Sequence, residues 1–395
     1  MKIFCLGLLV FPLTHGVLGA YNLVQEYSGQ SFFEGWDFYG AYDNTTLGDV
    51  FFVTEQTATT LHLAYVNSAG NAIIRVDNTT SVPSNQKRNS VYISTATYFP
   101  IGSVFIIDLS HIPYGCSVWP AFWTKGADWP TDGEIDIIET VNLVNNNQYA
   151  LHTGYNGCVA TNVGQTGTLA NANCTSTATS DVGCTFQETQ ANSVGSGFNS
   201  AGGGVYATQF DVSGVYIWFW SRANIPSSIS SSTTSVNTSS WGSPSAAFPA
   251  TDSCDISKFV APQQLVLDIT LCGSWAGLAS VYQETCPVNG TAGLNTCYDN
   301  NVIDNGTPAY AEAYFEISYV KVFSLNETST STSSSTSSSG SASTLSSTST
   351  SGSPTSSSSA STTSTTKASG AIPIVQLRST AAGVFAAMLT LSLIF

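Results

Sequence analysis

An all-β sandwich of jelly-roll type, with two antiparallel sheets stacked face to face, is the fold this sequence predicts. Short runs rich in Val, Ile, Tyr, Phe and Trp, bounded by Gly, Asn, Asp and Pro, recur along most of the chain. No convincing helical periodicity interrupts them. Tyr216-Ile-Trp-Phe-Trp220 is apolar on both faces, as a central strand of a stacked-sheet core must be. Short strands in this number favour two sheets. The absence of a fixed-period repeat disfavours a propeller or solenoid.

Taken in order, the strand candidates are Val50–Thr54, Thr60–Val66, Ala72–Asp77, Ser90–Thr95, Ser103–Leu109, Glu134–Glu139 and Tyr149–Thr153. Val205–Val212, Val215–Ser221, Gln264–Leu271 and Ala313–Phe323 follow. Two polar inserts separate them. Residues 156–204 are rich in Gly, Asn, Ser and Thr and hold three cysteines, and residues 227–240 are mostly Ser and Thr. Both are expected to be surface loops, walling one end of a cleft.

The two ends are of another kind. Met1-Lys2, the apolar run Ile3–Leu13 and small residues up to Ala20 form the pattern of a secretory signal, residues 1–20. Residues 326–369 are almost wholly Ser and Thr, a composition that cannot bury a core and reads as an O-glycosylated stalk. The small residues around Ser369, a spacer and the apolar tail Ala381–Phe395 form a glycosylphosphatidylinositol (GPI) attachment signal, residues 370–395. Export to the cell surface follows, with the membrane met only through a lipid anchor. One folded region, residues 21–325, remains.

The formal net charge is −15. Of 25 acidic residues only Glu327 lies outside the folded region, and of ten basic ones Lys2, Lys367 and Arg378 do. That excess excludes nucleic acid and anionic membrane faces as partners and suits neutral ligands such as uncharged sugars. Eight of the nine cysteines survive removal of the leader, which suggests up to four disulfides, with Cys174–Cys184 and Cys286–Cys297 as near neighbours in sequence. No CxxC or Cys/His cluster suggests zinc. Seven N-glycosylation sequons, at Asn44, Asn78, Asn173, Asn237, Asn289, Asn305 and Asn326, fit export.

The chemistry concentrates in Trp129-Pro-Thr-Asp-Gly-Glu134-Ile-Asp136-Ile-Ile-Glu139. Charged residues make up only 9% of the chain, so three acids on one β-branched strand need a reason. Glu134 and Asp136 share a face, and Glu139 has the wrong parity. A β-bulge at Ile137 or Ile138 would return it. The glutamates would then stand roughly 13 Å apart along the strand between Cα atoms. Converging side chains can close that to the ~5–5.5 Å of a retaining glycosidase, and the wider ~6.5–9.5 Å of an inverting one is also within reach. Three clustered acids cannot all ionise cheaply, so at least one holds a proton near neutral pH. A calcium site would favour acids on a loop with Asn and Gly neighbours rather than between isoleucines. No metal ligand is therefore assigned.

Gly133-Glu-Ile-Asp-Ile-Ile-Glu139 resembles the active-site signature of glycoside hydrolase family 16, in the bulged laminarinase form. Trp119-Pro-Ala-Phe-Trp123 before it, Leu151-His152-Thr153 and Cys158 after it, Phe219-Trp-Ser-Arg222 with Ile225-Pro226, and Leu271-Cys-Gly-Ser-Trp-Ala-Gly277 extend the likeness to fungal endo-β-1,3(4)-glucanases. The resemblance implies a concanavalin A-like jelly roll whose concave sheet forms the substrate cleft. It also implies Glu134 as nucleophile, Glu139 as general acid/base and Asp136 as the residue that orients and tunes the nucleophile. His152, on the next strand, is placed to hydrogen-bond the site.

Trp119, Trp123, Trp129, Trp241 and Trp275 cluster around these motifs. Sugar rings stack their C–H faces on indoles, while core packing competes for the same side chains. Trp129 and Trp275, close to turn-forming Pro or Gly, are expected in the cleft. Trp123 is weighed evenly, and Trp119 and Trp220 are assigned to the core. Arg75 corresponds in position to a cleft arginine of the fungal relatives. The expected activity is an exported, surface-held endo-β-glucanase cleaving β-1,3 or mixed β-1,3/1,4 glucan with retention, as a monomer without a cofactor. Transglycosylation uses the same glutamates, and a non-catalytic lectin on the same fold predicts loss of an acid that is here retained.

Overall fold

The computed structural model describes residues 20–325 apart from 155, 178–180, 289 and 291. The leader, the stalk, the anchor signal and the sequons at Asn289 and Asn326 lie outside the described residues.

Seventeen strands build the two main sheets. They begin with β1 (Tyr21–Ser28), β2 (Trp36–Phe38), β3 (Ala64–Val66), β4 (Ala72–Arg75), β5 (Tyr92–Thr95) and β6 (Ser103–His111). Next come β7 (Val118–Lys125), β8 (Glu134–Glu139), β9 (Gln148–His152), β10 (Thr168–Asn171), β11 (Cys184–Gln187) and β12 (Gly204–Asp211). The last are β13 (Gly214–Ser221), β14 (Ser235–Val236), β15 (Ala246–Pro249), β16 (Gln264–Leu271) and β17 (Tyr314–Ser324). One sheet runs β10-β11-β9-β8-β7-β16-β5-β2. The other runs β14-β1-β17-β6-β12-β13-β15, with β4 on β17 and β3 on β4. All pairings within the two sheets are antiparallel. The expected all-β sandwich of two antiparallel sheets is the observed fold.

The core lies between the sheets because alternate residues point inward. Phe105, Ile107 and Leu109 of β6 and Tyr206 and Phe210 of β12 meet Ile135 and Ile138 of β8 and Leu265, Leu267, Ile269 and Leu271 of β16 in one buried cluster. β16 is buried along its whole length, its polar Gln264, Asp268 and Thr270 alternating with core residues.

Three elements depart from expectation. Strand β7 was not among the candidates, and it carries Pro120, a residue seldom found in a central strand. Yet β7 is central, pairing β16 from Val118 to Lys125 and β8 only from Ala121 onward. Pro120 thus sits where the ladder to β8 has ended. The stretch before Leu63 is not strand: Glu55–Thr60 forms a helix that Thr54 caps through its side chain. The insert 156–204 contributes β10 and β11, which extend the sheet rather than merely wall it.

The insert 227–240 does not reach the cleft. Ile229 and Val236 pack with Trp218, Trp241, Val104 and Val205 in a second apolar cluster on the outward face of the β6–β12–β13 sheet. A sheet with apolar side chains on both faces needs such a cover, and the Ser/Thr segment supplies it.

Four disulfides form: Cys116–Cys286, Cys158–Cys254, Cys174–Cys184 and Cys272–Cys297. Cys174–Cys184 matches expectation, and Cys286–Cys297 does not. Val118 pairs with Leu271, so Cys116 and Cys272 stand together at one end of β7 and β16. The segment carrying Cys286 and Cys297 is stapled there twice, once to each strand. Among the described residues no helix is long and apolar enough to cross a membrane.

Candidate active site

Gly133 opens β8 with a backbone φ of +77°, and a Cβ there would lie 2.9 Å from the Phe259 carbonyl oxygen. Only glycine fits both conditions. Along β8, Asp136 pairs with Trp123 and Ile138 with Phe122 on β7, so Ile137 is the extra residue. On the other side Asp136 pairs with Ala150 and Glu139 with Gln148. Three residues of β8 therefore span two of β9, which is the expected bulge. Ile135, Ile137 and Ile138 all enter the core. Glu134, Asp136 and Glu139 share the outward face.

Registration carries neighbours to the same face. Trp119, Ala121, Trp123 and Lys125 of β7, Gln148, Ala150 and His152 of β9, and Gln264, Val266, Asp268 and Thr270 of β16 line up with the acids. Trp119 donates from Nε1 to Glu139 Oε1 at 2.8 Å. Gln148 pairs directly across from Glu139 on β9. Its Oε1 accepts from Gln187 Nε2 at 2.7 Å. His152 Nε2 stands 3.0 Å from Asp136 Oδ2 and 4.0 Å from Glu134 Oε1. Its Nδ1 is 2.9 Å from Ser176 Oγ. The close approach to Oδ2 is an electrostatic contact and not an aligned hydrogen bond, so Oδ2 is a buried acceptor with no donor aimed at it.

Burial and mutual repulsion set the protonation. Asp136 is 3% exposed. Desolvation, then the Glu139 charge, hold its carboxyl well above the usual carboxylate range. Glu134 is raised too, by desolvation and then by the Asp136 charge, so the adjacent pair resists double ionisation. Desolvation also raises Glu139, against the opposing pull of the Trp119 hydrogen bond and the His152 charge. A glutamic acid that keeps its proton toward neutral pH can act as a general acid.

The Trp119 bond has a measurable consequence. Trp119→Phe removes a donor that favours the ionised form, so the Glu139 pKa rises further. The alkaline limb of the kcat profile on laminarin moves to higher pH, and kcat at the optimum falls roughly tenfold. A limb that stays in place or moves to lower pH contradicts this role.

Of the other expected residues, Trp123 lies on the cleft floor, its Nε1 fixed by Asp268 Oδ1 at 2.8 Å. Trp275 meets Trp119 edge to face at 5.4 Å, beside Glu139. Trp129 lies in the 126–133 hairpin leading to Glu134 and is 42% exposed. Trp119, assigned to the core, is buried but contacts an acid. Trp220 and Trp241 join Trp218 on the outward face of the other sheet, so Trp241 is not a cleft residue.

Arg75 is likewise placed elsewhere. Ile74 points into the core, so Arg75 faces outward from β4, in the sheet that lacks the acids. It sits over the Tyr314 ring at 5.9 Å in a depression of about 320 Å³. Its position in the sequence matched a cleft arginine, but its parity on the strand does not. The residues that composition could not reveal are Ser176, Gln187 and Asp268, each of which orients a neighbour. Asp268 pairs with Ala121 at the next strand over, a relation visible only once β7 and β16 are aligned.

Glu134, Asp136 and His152 also offer ligand atoms within 4.8 Å of one another.

Two glutamates and an aspartate on the concave face of an antiparallel sandwich, one glutamate held by an indole donor, define a glycoside hydrolase. The chain belongs to glycoside hydrolase family 16: residues 36–323 match the XgeA-like catalytic GH16 domain. A probable glycosidase of Schizosaccharomyces pombe is 39% identical over 308 residues, 77% of this chain and 69% of that protein. The endo-1,3(4)-beta-glucanase xgeA of Emericella nidulans is 35% identical over 326 residues, 81% of this chain and 50% of that one. The chain thus spans about half the length of that relative. Laminarinase 16A from Phanerochaete chrysosporium, solved with beta-glucans in donor and acceptor sites, superposes with a TM-score of 0.70 at 34% identity, over 77% of this chain and 100% of that one. An elongating family 16 beta-1,3-glucosyltransferase gives 0.70 at 38% identity, with the same coverage.

Proposed function

We propose that this protein cleaves internal β-1,3 bonds of β-glucan, including mixed β-1,3/1,4 chains, with retention of configuration. The observation that carries this is the bulge at Ile137, which puts both glutamates on the cleft side of one strand with Asp136 between them. Glu134 attacks the anomeric carbon while Glu139 protonates the departing glycosidic oxygen. Asp136, buried between them, orients Glu134 and tunes it electrostatically for attack. In the second half, Glu139 takes a proton from water, which releases the sugar from Glu134. His152, set by Ser176, orients Asp136 throughout. Trp275 and Trp123 supply indole faces for sugar rings, with Trp129 toward one end of the cleft.

A sugar hydroxyl can replace water in the second half, and the likeness to an elongating glucosyltransferase favours keeping this reading beside hydrolysis. Sizing the products of laminarihexaose separates them. Hydrolysis yields only shorter chains, whereas products longer than six sugars require transfer. Intact hexaose after prolonged incubation with folded protein would remove both readings.

The same proposal places the enzyme outside the cell, held at the surface by a GPI anchor on the Ser/Thr stalk. Four disulfides support an oxidising compartment.

A further inference from the structure

Turning Glu139 into the cleft costs the strand its regular ladder, and two backbone groups at the bulge are taken up by one side chain. Asn147, fully buried just before β9, accepts the Glu139 N–H on Oδ1 at 2.9 Å. It donates from Nδ2 to the Ile137 carbonyl oxygen, also at 2.9 Å. The carboxamide thus grips the bulged residue and the acid two residues on. Asn147 is itself fixed from behind. Its N–H donates to Ser193 Oγ at 3.0 Å, and its carbonyl accepts the Glu188 N–H at 2.9 Å. Glu188 is in turn held by the Tyr149 hydroxyl at 2.6 Å and by the amides of Thr189 and Gln190.

We propose that Asn147 is a positioning residue for the reaction. It sets the direction of Glu139 by clamping the backbone of the bulge, and touches no substrate. The proposal rests on the role of Glu139 given above. No other neutral side chain of this size offers one donor and one acceptor in the same plane, so the side chain is matched to the two groups it serves. An acid of the same shape can do so only while protonated, when its hydroxyl replaces the amide donor. Ionised, it sets an oxygen against the Ile137 carbonyl. The titratable group on the backbone that Asn147 holds is Glu139, and Glu188, held by Tyr149, lies behind it. All are shared by the variants below, so a new ionisation belongs to the substituted residue.

The test is kcat and KM on laminarihexaose across pH for the full chain, Asn147→Ala and Asn147→Asp, with thermal melts alongside. Asn147→Ala loses about 100-fold in kcat with KM within about threefold, the scale of a misplaced catalytic group. Asn147→Asp approaches wild-type kcat at acid pH and falls away as pH rises, through an ionisation that the wild type lacks. If the alanine variant does not give a folded melt, the aspartate variant alone decides. A wild-type pH profile for Asn147→Asp overturns the proposal, as does an alanine loss confined to KM or to melting temperature. Wild-type enzyme that leaves laminarihexaose intact overturns instead the glucanase reading on which it depends.

Discussion

Glu134→Gln lowers kcat/KM on laminarin by about 10⁴-fold or more while the fold is retained. The amide keeps the shape of the acid but cannot attack the anomeric carbon. The same substitution raises the melting temperature at neutral pH. Glu134 and Asp136 have folded-state pKa values above their unfolded ones, so their contribution favours folding at acid pH and is lost as pH rises through the folded values. Replacing one acid relieves that neutral-pH cost, and the stabilisation shrinks on acidification. Steady-state kinetics and melts at two pH values check both halves. An active Glu134→Gln enzyme removes the proposed mechanism, and a neutral-pH melting temperature below wild type removes the account of the buried pair.

Glu139→Ala has a different signature. Cleavage of laminarin falls by roughly 10³-fold, because the departing oxygen receives no proton. An aryl β-glucoside of laminaribiose with a good leaving group needs no such help, and its first step is largely spared. The glycosyl-enzyme then accumulates, since no base activates water. Azide needs no base, so adding it accelerates turnover and yields the β-configured glycosyl azide. An α-configured product would mean direct displacement, and no azide effect would mean that Glu139 is not the acid/base.

How far these roles were readable follows from how local each one is. The acids of β8 stand out because charged side chains between isoleucines contradict the strand around them. Their parity mismatch, with Glu139 off by one, was itself the sign of a bulge, and the register shift at Ile137 bears it out. The sandwich was legible for a similar reason, since strand alternation is a property of neighbouring residues. Strand β7 tolerates Pro120 because the ladder to β8 begins only at Ala121, a relation between strands that no local pattern shows. Trp119 was assigned to the core, and its burial agrees. Its indole N–H needed a partner, but nothing in the sequence says that the partner is Glu139 rather than a backbone carbonyl. Asn147, Ser176 and Asp268 act across strands, so their meaning appears only when registers are fixed. Arg75 differs for the opposite reason, and Trp241, which had been grouped with the motif tryptophans, lies apart from them. Strand alternation turns Arg75, and the second apolar cluster draws Trp241, to the outward face of the other sheet.

Retention by two glutamates gathered on one face of a bulged strand is the central claim, and the anomeric configuration of the first product tests it most directly. Laminarihexaose is cleaved by wild-type enzyme in a proton NMR tube, and the new reducing end is observed before mutarotation mixes the anomers. A double displacement through Glu134 releases the β-anomer first, with the α signal growing in only at the rate of spontaneous mutarotation. Initial release of the α-anomer would contradict the account, because it requires water to attack directly and leaves Glu134 no role as nucleophile.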